Sequence, residues 1–367
     1  MSVSGRFLIA GLFTLLAMFH EAGFLSVALG GQPPPSRAVV DMTGREVLVP
    51  AGLRKVVTLG SAPVLNSFVF ALGKGETLAN GLPANVRVTR KDRCSFQDDC
   101  CRFQTVFAPA LAWQPPLEGA DWSIKKEALL SMRPDLVITG NRHHVDFIEK
   151  TAIPVIYIDL SARGDTNREI MTVLGRAYGT EEKADEYRRY FDSVIRRVNT
   201  RVADVPERHR TRVLYCNFEV MTQSSLTADW WIEEAGGVSV TKSGKQPGHA
   251  FAISPEYILA WDPDVWIVSV PREIEMVFRD ARFKTVKAVR NKRIFSVPVG
   301  SIRWSHPTSE QPLGVLWAAK LLYPERFEDL NIEEEMKYFY GTFFQHHLTD
   351  GQVGEMLTRK KPGKFSP

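Results

Sequence analysis

Two stretches decide the reading of this chain: Glu127-Ala-Leu-Leu-Ser-Met-Arg-Pro-Asp-Leu-Val-Ile138 and, loosened, Glu256-Tyr-Ile-Leu-Ala-Trp-Asp-Pro-Asp-Val-Trp-Ile267. In each, apolar positions at helical spacing (128–130 and 257–260) lead to a Pro-Asp turn and then to a short apolar run. Proline cannot continue a helix and pushes the residue before it out of the α region. An uninterrupted apolar run suits a parallel strand covered on both faces. Glu, Leu, Pro, Asp and Ile recur at the same offsets, so the spacing predicts one helix–turn–strand unit in each of two similar lobes.

Working outward, the bulk numbers agree with a two-lobe globular chain. A length of 367 residues allows two ordinary domains, and 44% hydrophobic with 24% charged residues is a globular composition. The net charge of +4 is small and spread along the chain, which argues against a nucleic-acid partner. Arg6, the apolar stretch from Phe7 to Phe19 and the small residues Ser26-Val27-Ala28 have the order of a secretory signal peptide. The Gly30-Gly31-Gln-Pro-Pro-Pro linker after it favours removal over membrane spanning, and no cysteine sits near the cleavage point to carry a lipid. The expected location is the periplasm. In such an oxidising compartment Cys94 can bridge to Cys100 or to Cys101.

The chain order predicts a hairpin over Val39–Pro50 and a strand at 55–59 that ends in Gly60-Ser61. Later strand ends carry Asn141-Arg142-His143-His144, Asn217-Phe218-Glu219 and Arg303-Trp304-Ser305-His306. Between the lobes, Ala184, Tyr187, Phe191, Val194, Ile195, Val198 and Val202 recur every three or four residues. That stripe predicts one long helix able to brace both lobes. Its placement sets the expected boundaries: 1–28 signal peptide, 29–37 linker, 38–164 N-terminal lobe, 165–204 helical pair with the bracing helix, 205–347 C-terminal lobe, and 348–367 a flexible tail.

With these residues in view, the chain resembles the periplasmic solute-binding proteins of ABC importers for ferric siderophores, cobalamin and haem. The resemblance rests on Asp41-Met-Thr-Gly-Arg45 with Val49-Pro50, Val56-Val-Thr-Leu59, Ala71-Leu-Gly73, both Pro-Asp strands, Gly236-Gly237 and Leu321–Pro324, and it covers about residues 38–345. It implies an α/β fold of two similar lobes with mainly parallel sheets, joined by one long rigid helix, with a ligand cleft between them. It also implies an acidic residue on each lobe that pairs with arginines of the permease. Glu127 and Glu256 match those positions, each seven residues before its proline. The partners implied are the permease, its ATPase and a small metal chelate; the expected oligomeric state is a monomer.

In open parallel sheets, ligands bind outside the carboxyl ends of the strands. The candidate ligand-binding residues are therefore Ser61, Asn141, Arg142, His143, Asn217, His249, Phe251, Arg303 and Trp304. Guanidinium forks suit the paired oxygens of anionic chelates, and aromatic rings suit a macrocycle or aryl group. His306 is a candidate to complete the coordination of a chelated metal. A ferric siderophore is the leading cargo; cobalamin, haem, a nickel or cobalt chelate and molybdate are the alternatives. A secreted enzyme is the rival class. The chain shows no Gly-x-Ser-x-Gly elbow, Gly-rich phosphate loop or dinucleotide fingerprint, so no catalytic residue and no resident cofactor is expected.

Overall fold

The first described structure is a hairpin, β1 (Ser36–Val40) against β2 (Glu46–Pro50), antiparallel in register from Ser36 opposite Pro50 to Val40 opposite Glu46. It begins two residues before the boundary expected for the N-terminal lobe. The computed structural model describes residues 35–83, 101–119, 121–160, 166–223, 227–242 and 251–359, without the side chains of Gln223, Thr227, Ala228 and Phe251. Cys94, Cys100, His249 and the signal segment lie outside the described residues, and Cys101 is buried.

The first lobe is built on β3 (Val56–Leu59), β4 (Leu136–Thr139) and β5 (Val155–Tyr157), parallel in the order β3-β4-β5. Its helices are α1 (Ala62–Ala71), α2 (Gln104–Phe107), α3 (Lys126–Met132) and α4 (Arg142–Ile148). Every residue of β3 and β4 is buried, as uninterrupted apolar runs require when helices cover both faces. Leu78 bridges Val56 in parallel on the far side of β3.

The second lobe repeats this plan. Strands β6 (Arg212–Cys216), β8 (Val238–Ser239), β10 (Val265–Val268) and β11 (Ile294–Ser296) form a parallel sheet in the order β11-β10-β6-β8. A small antiparallel pair, β7 (Thr222–Gln223) with β9 (Phe251–Ala252), stands apart from it. The helices are α7 (Thr227–Glu234), α8 (Pro255–Trp261), α9 (Arg272–Arg279) and α10 (Lys287–Arg290). β6, β10 and β11 match β3, β4 and β5, and β8 beside β6 matches Leu78 beside β3.

The two Pro-Asp units are one local structure made twice. Helices α3 and α8 end on Arg133 (φ 47°) and Asp262 (φ 42°), both left-handed, and each is followed by Pro-Asp and a strand. The left-handed residue relieves the conflict between a helical end and a following proline.

Between the lobes run α5 (Thr166–Tyr178) and α6 (Glu181–Val202). At 22 residues α6 is roughly 33 Å long. Its buried side is Ala184, Tyr187, Phe191, Val194, Val198 and Val202, the stripe legible in the sequence except that Ile195 is only half-buried. One end packs Ala184 onto Gly175 of α5, where an added Cβ would lie 2.6 Å from that of Ala184. The other end sets Val202 on Gly236 at the close of α7. Helix α5 in turn packs on β1 and α1, while α6 also packs on α7 and α11 (Gln311–Leu322), so the rod spans both lobes. One apolar core runs continuously from α1 through α6 to α11 and α12 (Ile332–Phe343).

The chain end departs from expectation. Asp350–Thr358 is a helix, α13, where the sequence reading placed a flexible tail over 348–367. Thr349 and Gln352 form a reciprocal cap, and Val353 and Met356, one turn apart, are buried. The Val299 N–H donates to the Met356 carbonyl at 2.9 Å and Arg359 Nη1 to the Ser269 carbonyl at 3.0 Å. Burial of two apolar residues outweighs the polar composition that suggested fraying.

Candidate functional site

The carboxyl ends of both sheets form the candidate site. In the first lobe β3 runs into Gly60 (φ 62°) and Ser61 (φ 104°), consecutive residues in the left-handed region. Ser61 precedes α1 without capping it through its side chain. A Cβ on Gly60 would stand 2.7 Å from Asn141 Cβ, so this turn packs directly on the end of β4. Asn141 caps α4: its Oδ1 accepts the His143 N–H at 3.0 Å, and its Nδ2 lies 3.3 Å from His144 Nε2. His144 is buried, its Nδ1 3.1 Å from Thr139 Oγ1. Burial pushes its imidazole down to about 4, and His143 beside it adds repulsion. Arg142 and His143 are exposed, with the Arg142 guanidinium 5.9 Å from the Tyr157 ring centre.

A residue that the sequence reading passed over holds this wall. Glu118, 1% exposed, accepts the Gly60 N–H through Oε1 at 2.7 Å. Burial pushes its carboxyl up to about 7, against the opposing pull of that N–H.

The second lobe has a parallel arrangement. Glu273 is fully buried at the start of α9 and accepts the N–H groups of Ser269 (2.9 Å), Val270 (3.1 Å) and Glu219 (3.1 Å). Burial raises its carboxyl above the usual range despite these bonds. Arg272 turns its fork to Glu219, with Nε and Nη2 each 2.6 Å from a carboxylate oxygen. Asn217 stays half-buried at the end of β6 and exchanges backbone bonds with Thr222. Tyr215 OH donates to Ser305 Oγ at 2.7 Å and lies 3.3 Å from Ser269 Oγ, tying β6, β10 and the loop after β11 together.

That loop also reaches the first lobe. Gln104 accepts the Asn66 side-chain N–H at 3.0 Å and donates to the Pro63 carbonyl (2.8 Å) and the Ser301 carbonyl (3.0 Å). Ser309 exchanges bonds with Ser67, and Tyr187 of α6 donates to the Ser309 carbonyl at 2.9 Å. Glu310 is buried under the loop, accepting from Ser301 and Tyr340, and burial raises its carboxyl.

The three residues expected from this loop therefore sit deeper than a cleft-lining position suggests. Arg303 is 7% exposed and its Nε has no hydrogen-bond partner among the described residues. Trp304 is 1% exposed and belongs to the continuous core, so its ring offers no free face in this arrangement. The polar neighbours at 301, 305 and 309–310 anchor the loop and turn the indole inward. His306 keeps slight exposure; burial, then the nearby Arg303 charge, push its imidazole down to about 3. A neutral imidazole can ligate a metal, but among the described residues no group of three or more His, Cys, Asp or Glu side chains could hold an ion. Phe251 begins β9, and its side chain lies outside the described residues.

Glu127 and Glu256 occupy the same place, the second residue of α3 and of α8, and both are exposed. Each helix turns sharply into a strand running the opposite way, so each glutamate stands toward the carboxyl ends of its sheet.

Two parallel sheets, strand ends turned to a shared loop and a single helix bracing both define a solute-binding architecture. Comparison with known proteins agrees. A family model described as "Periplasmic binding protein" matches residues 97–299, more than half of the chain. The chain belongs to this family, the solute-binding proteins of ABC importers, whose members bind for transport rather than catalyse. It is 24% identical over 253 residues to the molybdate-binding protein MolA of Haemophilus influenzae, covering 61% of this chain and 70% of MolA. The molybdate-bound structure of MolA superposes with a TM-score of 0.71 at 20% identity, over 85% of this chain and 99% of MolA. A periplasmic solute-binding protein of Veillonella parvula reaches 0.75 at 21% identity, covering 88% and 97%. The nickel-bound structure of Helicobacter pylori CeuE reaches 0.67 at 20% identity, covering 87% and 99%.

Proposed function

We propose that this protein captures a small metal chelate at the carboxyl ends of its two sheets and hands it to the permease of an ABC importer, with a ferric siderophore as the leading cargo. The observation that carries this reading is the placement of Ser61, Asn141, Arg142 and His143 at one sheet's carboxyl ends and of Asn217 and the 303–306 loop at the other's. Arg142, exposed over Tyr157, is the free guanidinium best placed to meet a chelate's paired oxygens. Glu127 and Glu256, alike in position and exposure, are the docking charges for two permease subunits related by symmetry. The segment 1–28 acts as the signal for export to the periplasm.

Molybdate is the second reading, favoured by the likeness to MolA. Self-occupation of strand-end N–H groups by Glu118 and Glu273 weighs against a bare oxyanion, since those are the donors such an ion would seek. Isothermal titration of the mature protein against ferric catecholate, ferric hydroxamate, haem, cobalamin, nickel–histidine and molybdate tests the choice. Tight binding of a ferric chelate alone supports the first reading; tight molybdate binding without chelate binding replaces it.

A further inference from the structure

Among the described residues, Glu118 is a buried carboxyl with only half of its hydrogen-bonding capacity used. It sits in the loop before α3, is 1% exposed, and accepts the N–H of Gly60, 58 residues earlier in the chain. Its second oxygen, Oε2, is buried without a hydrogen-bond partner among the described residues. A half-satisfied buried carboxyl is expensive to keep, and native proteins pair nearly all such atoms. What it grips is equally uncommon: Ser61, next to Gly60, is a non-glycine residue at φ 104°. Gly60 in turn packs on Asn141, so carboxyl, strained turn and helix cap form one unit at the ends of β3 and β4.

We propose that Glu118 is the positioning residue of the first lobe's ligand wall, and that cargo binding is linked to its proton. An anionic cargo seated on Gly60–Ser61 and Asn141 draws a proton onto Glu118; a cationic cargo expels one. This rests on the cleft reading proposed above and adds the sign of the cargo's charge to it.

The surroundings leave Glu118 free to respond. Asp121 and Lys125 of its own loop are exposed, and Arg142 and His143 at the start of α4 are exposed as well. His144 behind them is held neutral by burial. α1, β3 and β4 carry no charged residue at all. With its carboxyl held near 7, a charge arriving at the wall changes its proton occupancy in the neutral range.

Two measurements on the mature protein decide it. In the first, without cargo, hydrogen exchange of the Gly60 amide is followed from pH 6 to 8.5 and corrected for intrinsic exchange. Protection rises with pH in the wild type, because an ionised acceptor holds the N–H more strongly, and stays level in Glu118→Gln. A level profile in both overturns the clamp. In the second, titrations at pH 7 in two buffers of different ionisation enthalpy count protons, with ferric catecholate and molybdate as anionic probes and nickel–histidine as the contrasting one. The wild type takes up about half a proton per anionic cargo and E118Q takes up none. Equal proton counts in the two proteins overturn the linkage. If no probe binds, the chelate reading falls, while the exchange profile still decides the clamp.

Discussion

Asp135 and Asp264 do the same work in the two lobes. Asp135 Oδ2 accepts the Arg54 and Lys55 N–H groups, each at 2.8 Å, at the entry to β3. Asp264 Oδ2 accepts the Arg212 N–H at 3.0 Å at the entry to β6. Each aspartate also donates its own N–H back to the same strand, to the Lys55 carbonyl at 2.8 Å and to the Arg212 carbonyl at 2.9 Å. The repeated Pro-Asp is thus a clasp between neighbouring parallel strands, which is why it recurs where the fold recurs.

Replacing either clasp should loosen its lobe. Asp135→Ala is expected to lower stability by about 1–3 kcal/mol and Asp264→Ala by less, because the first loses two charge-assisted hydrogen bonds and the second one. Urea unfolding at pH 7 measures both; equal losses would deny the difference in bonding.

The paired rim glutamates predict a transport defect without a binding defect. Glu127→Arg with Glu256→Arg should abolish uptake in cells while leaving cargo affinity of the purified protein within about twofold, since both side chains are exposed on α3 and α8 and neither belongs to the loops that carry the candidate ligand residues. Unchanged uptake by the double variant would remove the docking assignment.

Two buried groups should tilt the pH dependence of stability in opposite directions and nearly cancel between about pH 4.5 and 6.5. His144 is held neutral, so the unfolded chain binds its proton more readily and stability is lost as pH falls from about 6.5 toward 4. Glu118 has the opposite sign: the folded state holds its proton longer, so stability is lost as pH rises from about 4.5 toward 7. Each contribution is at most about 3 kcal/mol. Thermal melts of His144→Gln should therefore fall steadily as pH rises through that window, and those of Glu118→Gln should rise through it and exceed the wild type above pH 7; wild-type-like profiles in both variants would deny the two contributions.

Gln104 predicts a coupling between lobes. Its amide joins Asn66 and Pro63 of the first lobe to Ser301 of the second, all buried. Gln104→Ala leaves those groups without it and should lower stability by about 2–3 kcal/mol. Small-angle scattering should show a wider spread of lobe angles in the variant; an unchanged profile would assign the restraint to α6 alone.

Much of the fold was legible because it depends on local rules. The Pro-Asp turns, the hairpin at Thr43-Gly44 and the stripe of α6 are short-range patterns with one economical solution each. Helix α13 was missed, although Thr349 and Gln352 stand at capping-box spacing, because its polar composition obscured that signal. Glu118 carried no such signal. A lone glutamate in a Gly-containing loop reads as a solvated charge until Gly60 is found against it.

The amino-acid order alone determined where helices give way to strands and that the chain does so twice, because backbone sterics and apolar period act over a few residues. Only the folded chain decided which loop side chains stay exposed and which turn inward. Arg272 closes on Glu219 and the Trp304 ring turns into the core. Those orientations are set by partners between 50 and 200 positions away along the chain, Ser301 on Gln104 among them. No local pattern encodes such distances, since they arise only when the two sheets and the rod between them pack together.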